Sequence, residues 1–205
     1  ARAPETPAVP RRFSLLLAAA LFAPGAVPAR LEAQGSPLSM EARVGAAVPV
    51  SSLAGGDGVG EGAGPGLAFG VEVTLGSGWR SAYAGFSQLR FGCGEAGCPA
   101  GKPYVATGVN TGLRLALAPQ ARVIPWVGVG VLTTRVESPG VRGSPEGVSE
   151  LGFGGEVSAG LWVRASRSLA FSPALRVARV GTDLPGGARL SLRYAVLDLG
   201  LVLTF

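Results

Sequence analysis

Histidine is absent from the 205-residue chain. That removes the side chain whose proton affinity lies nearest neutrality, and with it the usual general base. A Ser–His–Asp triad cannot be assembled here. Charge is also scarce, at 15% of residues, where about 25% is usual. A soluble domain of this size needs more charge to cover its surface, so the deficit points to lipid contact or a large buried area. Yet past the N-terminal segment no run approaches the ~20 consecutive apolar residues of a spanning helix. The remaining membrane solution is a closed barrel, because lipid cannot satisfy the hydrogen bonds of an open sheet edge. The basic residues are scattered, with no Lys/Arg run and no basic helix, so nucleic acid is not an expected partner.

Only two cysteines occur, Cys93 and Cys98, close together in CGEAGC. An even count in an exported chain favours a disulfide, adding about 2–3 kcal/mol of local constraint. A metal site is the sharper alternative, but two thiols without histidine offer too few ligands for zinc. No cofactor is expected.

What is plentiful is glycine, with 33 residues, in a composition that is 47% hydrophobic. Each interior glycine weakens a helix by roughly 1 kcal/mol relative to alanine, so a helical protein is excluded. Without a G-X-Y period, collagen is excluded as well. Barrels use glycine at tight turns and where interior space is small.

Arg11-Arg12 precede a short apolar run, Phe13–Phe22 (FSLLLAAALF), and a Pro/Gly/Ala-rich stretch ends in Leu31-Glu32-Ala33-Gln34. These are the charged region, apolar region and small-residue cleavage site of a secretory signal. Residues 1–33 are therefore expected to be an address, cleaved after Ala33 with Ala29 as the alternative. Residues 34–205 are expected to be the barrel. A buried N-terminal helix would be broken by Pro24 and Pro28.

From Leu38 onward the chain alternates with a period of two. Eight strands are predicted: Leu38–Val50, Gly66–Leu75, Trp79–Phe91, Tyr104–Leu117, Val123–Arg135, Glu150–Arg164, Leu169–Val180 and Leu190–Phe205. Each exceeds the ~9–11 residues that cross a bilayer at a tilt. Short connections (Gly76–Gly78, Ala118–Arg122, Ala165–Ser168) alternate with long ones (Ser51–Pro65, Gly92–Pro103, Val136–Ser149, Gly181–Arg189). An up-and-down outer-membrane barrel does this, with short periplasmic turns and longer external loops. Pro125 and Pro173 interrupt the pattern, and the ladder is expected to begin after them.

Trp79, Trp126 and Trp162 all fall at the expected periplasmic ends, as an aromatic girdle would place them. Trp126 and Trp162, however, alternate with outward apolar neighbours, so positions pointing inward or past the regular ladder stay open. With apolar residues facing lipid, the inward set comprises Glu41, Arg43, Glu72, Gln88, Asn110, Arg114, Glu156, Arg164, Arg176 and Asp198. Eight strands leave a lumen that side chains fill. Strand adjacency pairs Glu156 with Arg176, and Asp198 with Arg176 or Arg43. A plug of ion pairs is the expected reading, and a narrow ion path the alternative.

With this strand count and loop alternation, the terminal LDLGLVLTF ending in Phe205, and Pro125-Trp126-Val127-Gly128-Val129-Gly130, the chain resembles small OmpA/OmpX-type outer-membrane barrels over Leu38–Phe205. The resemblance implies a closed eight-stranded antiparallel transmembrane barrel in the bacterial outer membrane. It implies lipid as surroundings, and the barrel-assembly machinery and periplasmic chaperones as transit partners, with Phe205 as the assembly signal. A monomer is expected.

Three functional classes then compete. The first is a non-enzymatic barrel acting in envelope structure or surface interaction through its loops, with an unknown external ligand. The second is a narrow pore or transport barrel for small or apolar solutes. The third is an outer-membrane enzyme, which the missing histidine disfavours; Glu146 and Glu150 form a carboxylate pair without supporting signals. A soluble lipocalin-like barrel is the alternative outside the membrane, but it would need an apolar interior and a polar exterior. The Gly-rich stretch Gly55–Gly66 lacks the GK[ST] ending and following helix of a phosphate cradle.

Overall fold

The computed structural model describes residues 38–50, 63–76, 78–93, 103–139, 146–183 and 189–205. The expected secretion signal, residues 1–33, lies outside them. The described strands are β1 (Leu38–Pro49), β2 (Ala63–Leu75), β3 (Arg80–Cys93), β4 (Tyr104–Ala116), β5 (Val123–Pro139), β6 (Glu146–Val148), β7 (Gly152–Arg164), β8 (Leu169–Asp183) and β9 (Arg189–Thr204). Eight are long staves. The three-residue β6 pairs only with the far end of β5, from Glu137↔Val148 to Pro139↔Glu146. It falls in a stretch whose sequence reads as loop, because three residues are too few to show a period.

Every pairing is antiparallel, and β1 meets β9 from Ser39↔Thr204 to Pro49↔Tyr194. The Phe205 amide adds a bond to the Leu38 carbonyl at 2.9 Å. The sheet therefore closes on itself, which abolishes both edges. Successive paired residues around the ring run Leu38, Leu75, Ala82, Leu113, Val129, Val157, Val177, Ala195 and then Val48. The circuit leaves β1 at Leu38 and returns ten residues further along it. That stagger is the shear of the barrel, and it obliges the strands to tilt, typically by about 35–45°.

All nine residues on this circuit are apolar, and they belong to an outward belt. Leu197, Leu199, Leu201 and Leu203 of β9 all point out, as do Leu67, Phe69, Val71, Val73 and Leu75 of β2. Glu41, Arg43, Glu72, Arg114, Arg176 and Asp198 are buried inside. A water-soluble barrel has the reverse arrangement. Among the described residues no helix is long and apolar enough to cross a membrane.

The short turns gather at one end of the barrel. In the β2–β3 turn Gly78 has φ 68°, a left-handed conformation that favours a residue without Cβ. At the other end the described strands stop at the intervals 51–62, 94–102, 140–145 and 184–188, which lie outside the described residues.

The prolines are absorbed differently than the pattern predicts. Pro125 sits inside the β5–β7 ladder opposite Leu161, and its carbonyl accepts from the Leu117 amide at 2.8 Å. At Pro173 the β7–β8 ladder skips from Gly160↔Ala174 to Val163↔Phe171 without changing register. The missing donor opens two rungs rather than ending the strand. Pro65, read from sequence as loop, is the extra residue of a bulge between Gly64 and Gly66. A bulge residue needs no ladder donor.

The belt predicts a depth-dependent penalty for charge. Leu199→Arg, mid-belt on β9, should cost about 2–4 kcal/mol, and Thr133→Arg, near the long-loop end of β5, about 0–1. Urea-dependent refolding into phospholipid vesicles measures both.

Candidate functional site

Glu41 and Glu72 are cross-strand partners on the inner wall. Like charges directly opposite repel, and both side chains are almost wholly buried. Two arginines hold them. Arg43 Nη1 lies 2.6 Å from Glu72 Oε2. Arg114 Nη1 lies 2.5 Å from Glu72 Oε1 and 3.2 Å from Glu41 Oε2. Thr74 Oγ1 donates a further bond to Glu72 Oε1 at 3.3 Å.

Arg114 does more than pair. Its guanidinium lies over the Tyr83 ring at 4.7 Å and the Trp126 ring at 4.4 Å. Such stacking stabilises a desolvated cation and fixes the plane in which it meets the carboxylates. Trp126 in turn stacks on Trp162, with centroids 5.7 Å apart.

Tyr83 also crosses the lumen. Its hydroxyl donates to Glu156 Oε1 at 2.8 Å, as does Asn110 Nδ2. The path is open because Gly112 and Gly130, themselves cross-strand partners, leave a notch for the phenol. A Cβ at either glycine would collide with the Tyr83 hydroxyl. On the β8–β9 wall, Arg176 Nε donates to Asp198 Oδ2 at 2.7 Å, and its Nη2 lies 2.6 Å from the same oxygen.

The seven predicted network residues thus lie in the lumen, but not in all the predicted pairs. Arg176 takes Asp198. Glu156, which strand adjacency matches with Arg176, accepts from the neutral Tyr83 and Asn110. Arg43 takes Glu72 rather than Asp198. Two residues of the inward set lie outside the ion-paired layer. Gln88 faces outward, because its partner in the register is Phe69 and it donates to Thr107 Oγ1 at 3.5 Å on the outer wall. The sequence of β3 carries apolar residues at both parities, so only the pairing decides. Arg164 reaches the exposed short-turn rim, where Nη2 donates to the Pro119 carbonyl at 3.0 Å.

Of the tryptophans, Trp79 alone is exposed, in the β2–β3 turn, with the Arg80 guanidinium over its ring at 3.6 Å. Trp126 is buried in the lumen, so the girdle reading fails for it and for its stacking partner Trp162. Parity, which leaves an inward position open for both, is the signal in the sequence that agrees with this.

Above the charged layer, toward the long connections, the inside turns apolar. Phe91, Tyr104, Val136, Val180, Leu190, Leu192, Tyr194 and Val196 form one cluster, with Phe91 and Tyr194 edge to face at 5.9 Å. The outward residues at this level include Arg90, Arg135, Arg179 and Arg193, all exposed. At the opposite, short-turn end the lumen opens into a cavity of about 260 Å³, lined by Arg80, Arg164, Arg167 and Trp162 among others. No group of three or more potential metal ligands occurs among the described residues. The Glu146 side chain lies outside the described ones, and Glu150 is exposed. Cys93 ends β3; its side chain and all of Cys98 lie outside the described set, and the expected disulfide with them.

A closed eight-stranded antiparallel barrel, apolar outside and ion-paired at mid-height within, has the OmpA/OmpX-like fold of small outer-membrane β-barrels. Among solved structures it is similar to Neisserial surface protein A (NspA), with a TM-score of 0.63 and 14% identity over 82% of this chain and 97% of that one. It is also similar to the outer membrane protein OprG from Pseudomonas aeruginosa, with a TM-score of 0.57 and 12% identity over 83% and 96% of the two chains. At these identities the likeness is one of fold. No protein-family model and no curated protein matches the sequence.

Removing one partner of a buried ion pair strands the other. Glu72→Ala leaves Arg43 and Arg114 without their shared carboxylate and should destabilise the barrel by about 3–5 kcal/mol. Equilibrium unfolding in vesicles measures it, with Glu150→Ala on the exposed wall as a neutral control.

Proposed function

We propose that this chain is a non-enzymatic barrel of a bacterial outer membrane, serving envelope structure or surface interaction through its long connections. In this reading residues 1–33 export it, the short turns face the periplasm and the four long connections face outward. The observation that carries it is the filled lumen inside an apolar belt. A protein built to pass solutes keeps a continuous polar path. Here the ion-paired layer is followed by packed apolar side chains, including Phe91, Val180 and Leu192 at 1% exposure or less. The reading therefore favours a plug over a pore. Specific binding belongs to the long connections, since loops on a rigid scaffold carry recognition.

Heat-modifiable gel migration of outer-membrane fractions tests the location. A folded barrel migrates differently before and after boiling; an unshifted protein found in the soluble periplasm would refute the reading. Planar-bilayer recordings test the plug, and the expected result is no steady, reproducible conductance.

We further propose that Cys93 and Cys98 form a disulfide bracing the β3–β4 connection. Alkylation of the unfolded, unreduced protein should then label neither cysteine, and labelling of both would remove the idea.

A further inference from the structure

Arg179 and Arg193 are direct cross-strand partners on the outer wall of β8 and β9. Both are exposed, and neither makes an ion pair among the described residues. Like charges in this register destabilise a sheet unless something shared compensates them. Their position along the strands is specific. On β8 Arg179 is the first outward residue beyond Phe171, Leu175 and Val177, and on β9 Arg193 is the first beyond Leu197 and Ala195. The two guanidinium groups therefore mark the edge where the apolar belt gives way to the long-loop end.

A groove of about 360 Å³ in the outer wall reaches this pair, lined among others by Val129, Gly155, Val157, Val177, Arg179 and Arg193. Its hollow comes from Gly155, which pairs with Val131 on one side and Arg179 on the other. Packing does not demand a glycine there. A Cβ at Gly155 would meet only the Gly130 carbonyl oxygen, at 3.7 Å. The side chain is missing from a site that has room for one, and what remains is an apolar trough ending at two cations.

We propose that this groove binds one anionic phospholipid, with an acyl chain along Val129, Val157 and Val177 and its phosphate between Arg179 and Arg193. Arginine suits the task because its planar fork meets phosphate oxygens bidentately. A shared phosphate also removes the repulsion between the two arginines. The proposal rests on the reading of the belt as lipid-facing.

The full-length mature protein in detergent is titrated separately with phosphatidylglycerol, phosphatidylcholine and inorganic phosphate, and bound lipid is counted by native mass spectrometry. Phosphatidylglycerol should be retained about tenfold more tightly than phosphatidylcholine, corresponding to about 1.4 kcal/mol. Arg179→Gln with Arg193→Gln should bring phosphatidylglycerol down to the phosphatidylcholine level. Gly155→Leu should fill the trough and weaken phosphatidylglycerol several-fold with both arginines intact. Should the double variant fail to fold, Arg193→Gln alone should still lower the preference.

Equal retention of the two lipids, or a phosphatidylglycerol preference untouched by the arginine changes, would overturn the proposal. So would displacement of the lipid by equimolar inorganic phosphate, which would make this a free-anion site. Heat-modifiable migration is read on each sample. A wild-type protein that does not shift overturns the membrane reading and this proposal together, whereas a shifting protein that fails the lipid comparison overturns this proposal alone.

Discussion

Closure of β1 against β9 is the constraint on which the other features depend. In hydrocarbon an unpartnered backbone amide or carbonyl costs several kcal/mol, and an open edge would present a whole row of them. The ring from Leu38 back to Val48 partners the wall, and its ten-residue stagger sets the tilt. Tilt and strand number together fix a bore that side chains can fill. The bore then decides which residues are tolerated inside. Tyr83 spans to Glu156 only because Gly112 and Gly130 stand aside.

The wall changes its solvent along its length. At mid-height and below, Leu, Val and Phe point out and charges point in. Toward the long-loop end the same alternation continues with the contents exchanged. Leu89 and Phe91 point in while Arg90 points out, and Leu192 and Tyr194 point in while Arg193 points out. That upper part has the hydrophobic-in, polar-out pattern of a barrel standing in water. A strand longer than a bilayer crossing allows this, since the ~9–11 residues needed to span leave several over in β5, β8 and β9. The apolar cluster then caps the charged layer and keeps it from water at that end.

This exchange also marks what was legible in the sequence. Period-two alternation located all eight staves, and the alternation of connection lengths ordered them, because both are local signals. Which face a strand presents is local only where one parity is clearly apolar. In β2 it is, with Leu67 through Leu75 on one face. In β3 it is not, and Gln88 was placed on the wrong wall; the Phe69 register decides its direction. The apolar upper lumen was illegible for the same reason. Reading every apolar row as lipid-facing assigns Leu89, Phe91 and Leu192 to the wrong solvent unless the end of the bilayer is known. Partners within the lumen were harder still. Adjacency on the wall suggests Glu156 with Arg176, whereas contact across the bore, through Tyr83, is set by the barrel radius.

The lumen's composition argues its role from charge alone. Three buried arginines, Arg43, Arg114 and Arg176, meet four buried carboxylates, Glu41, Glu72, Glu156 and Asp198. Three of the carboxylates have an arginine, and the fourth is served by a phenol and an amide. Each cation is thereby fixed to a named oxygen, and Arg114 is additionally clamped between two aromatic rings. A conducting path needs sites that an ion can enter and leave. Arginines already held by rigid carboxylates offer no such exchange, and breaking a pair to create one leaves the other member buried and uncompensated. The network therefore ties one wall to another, as the proposed plug requires.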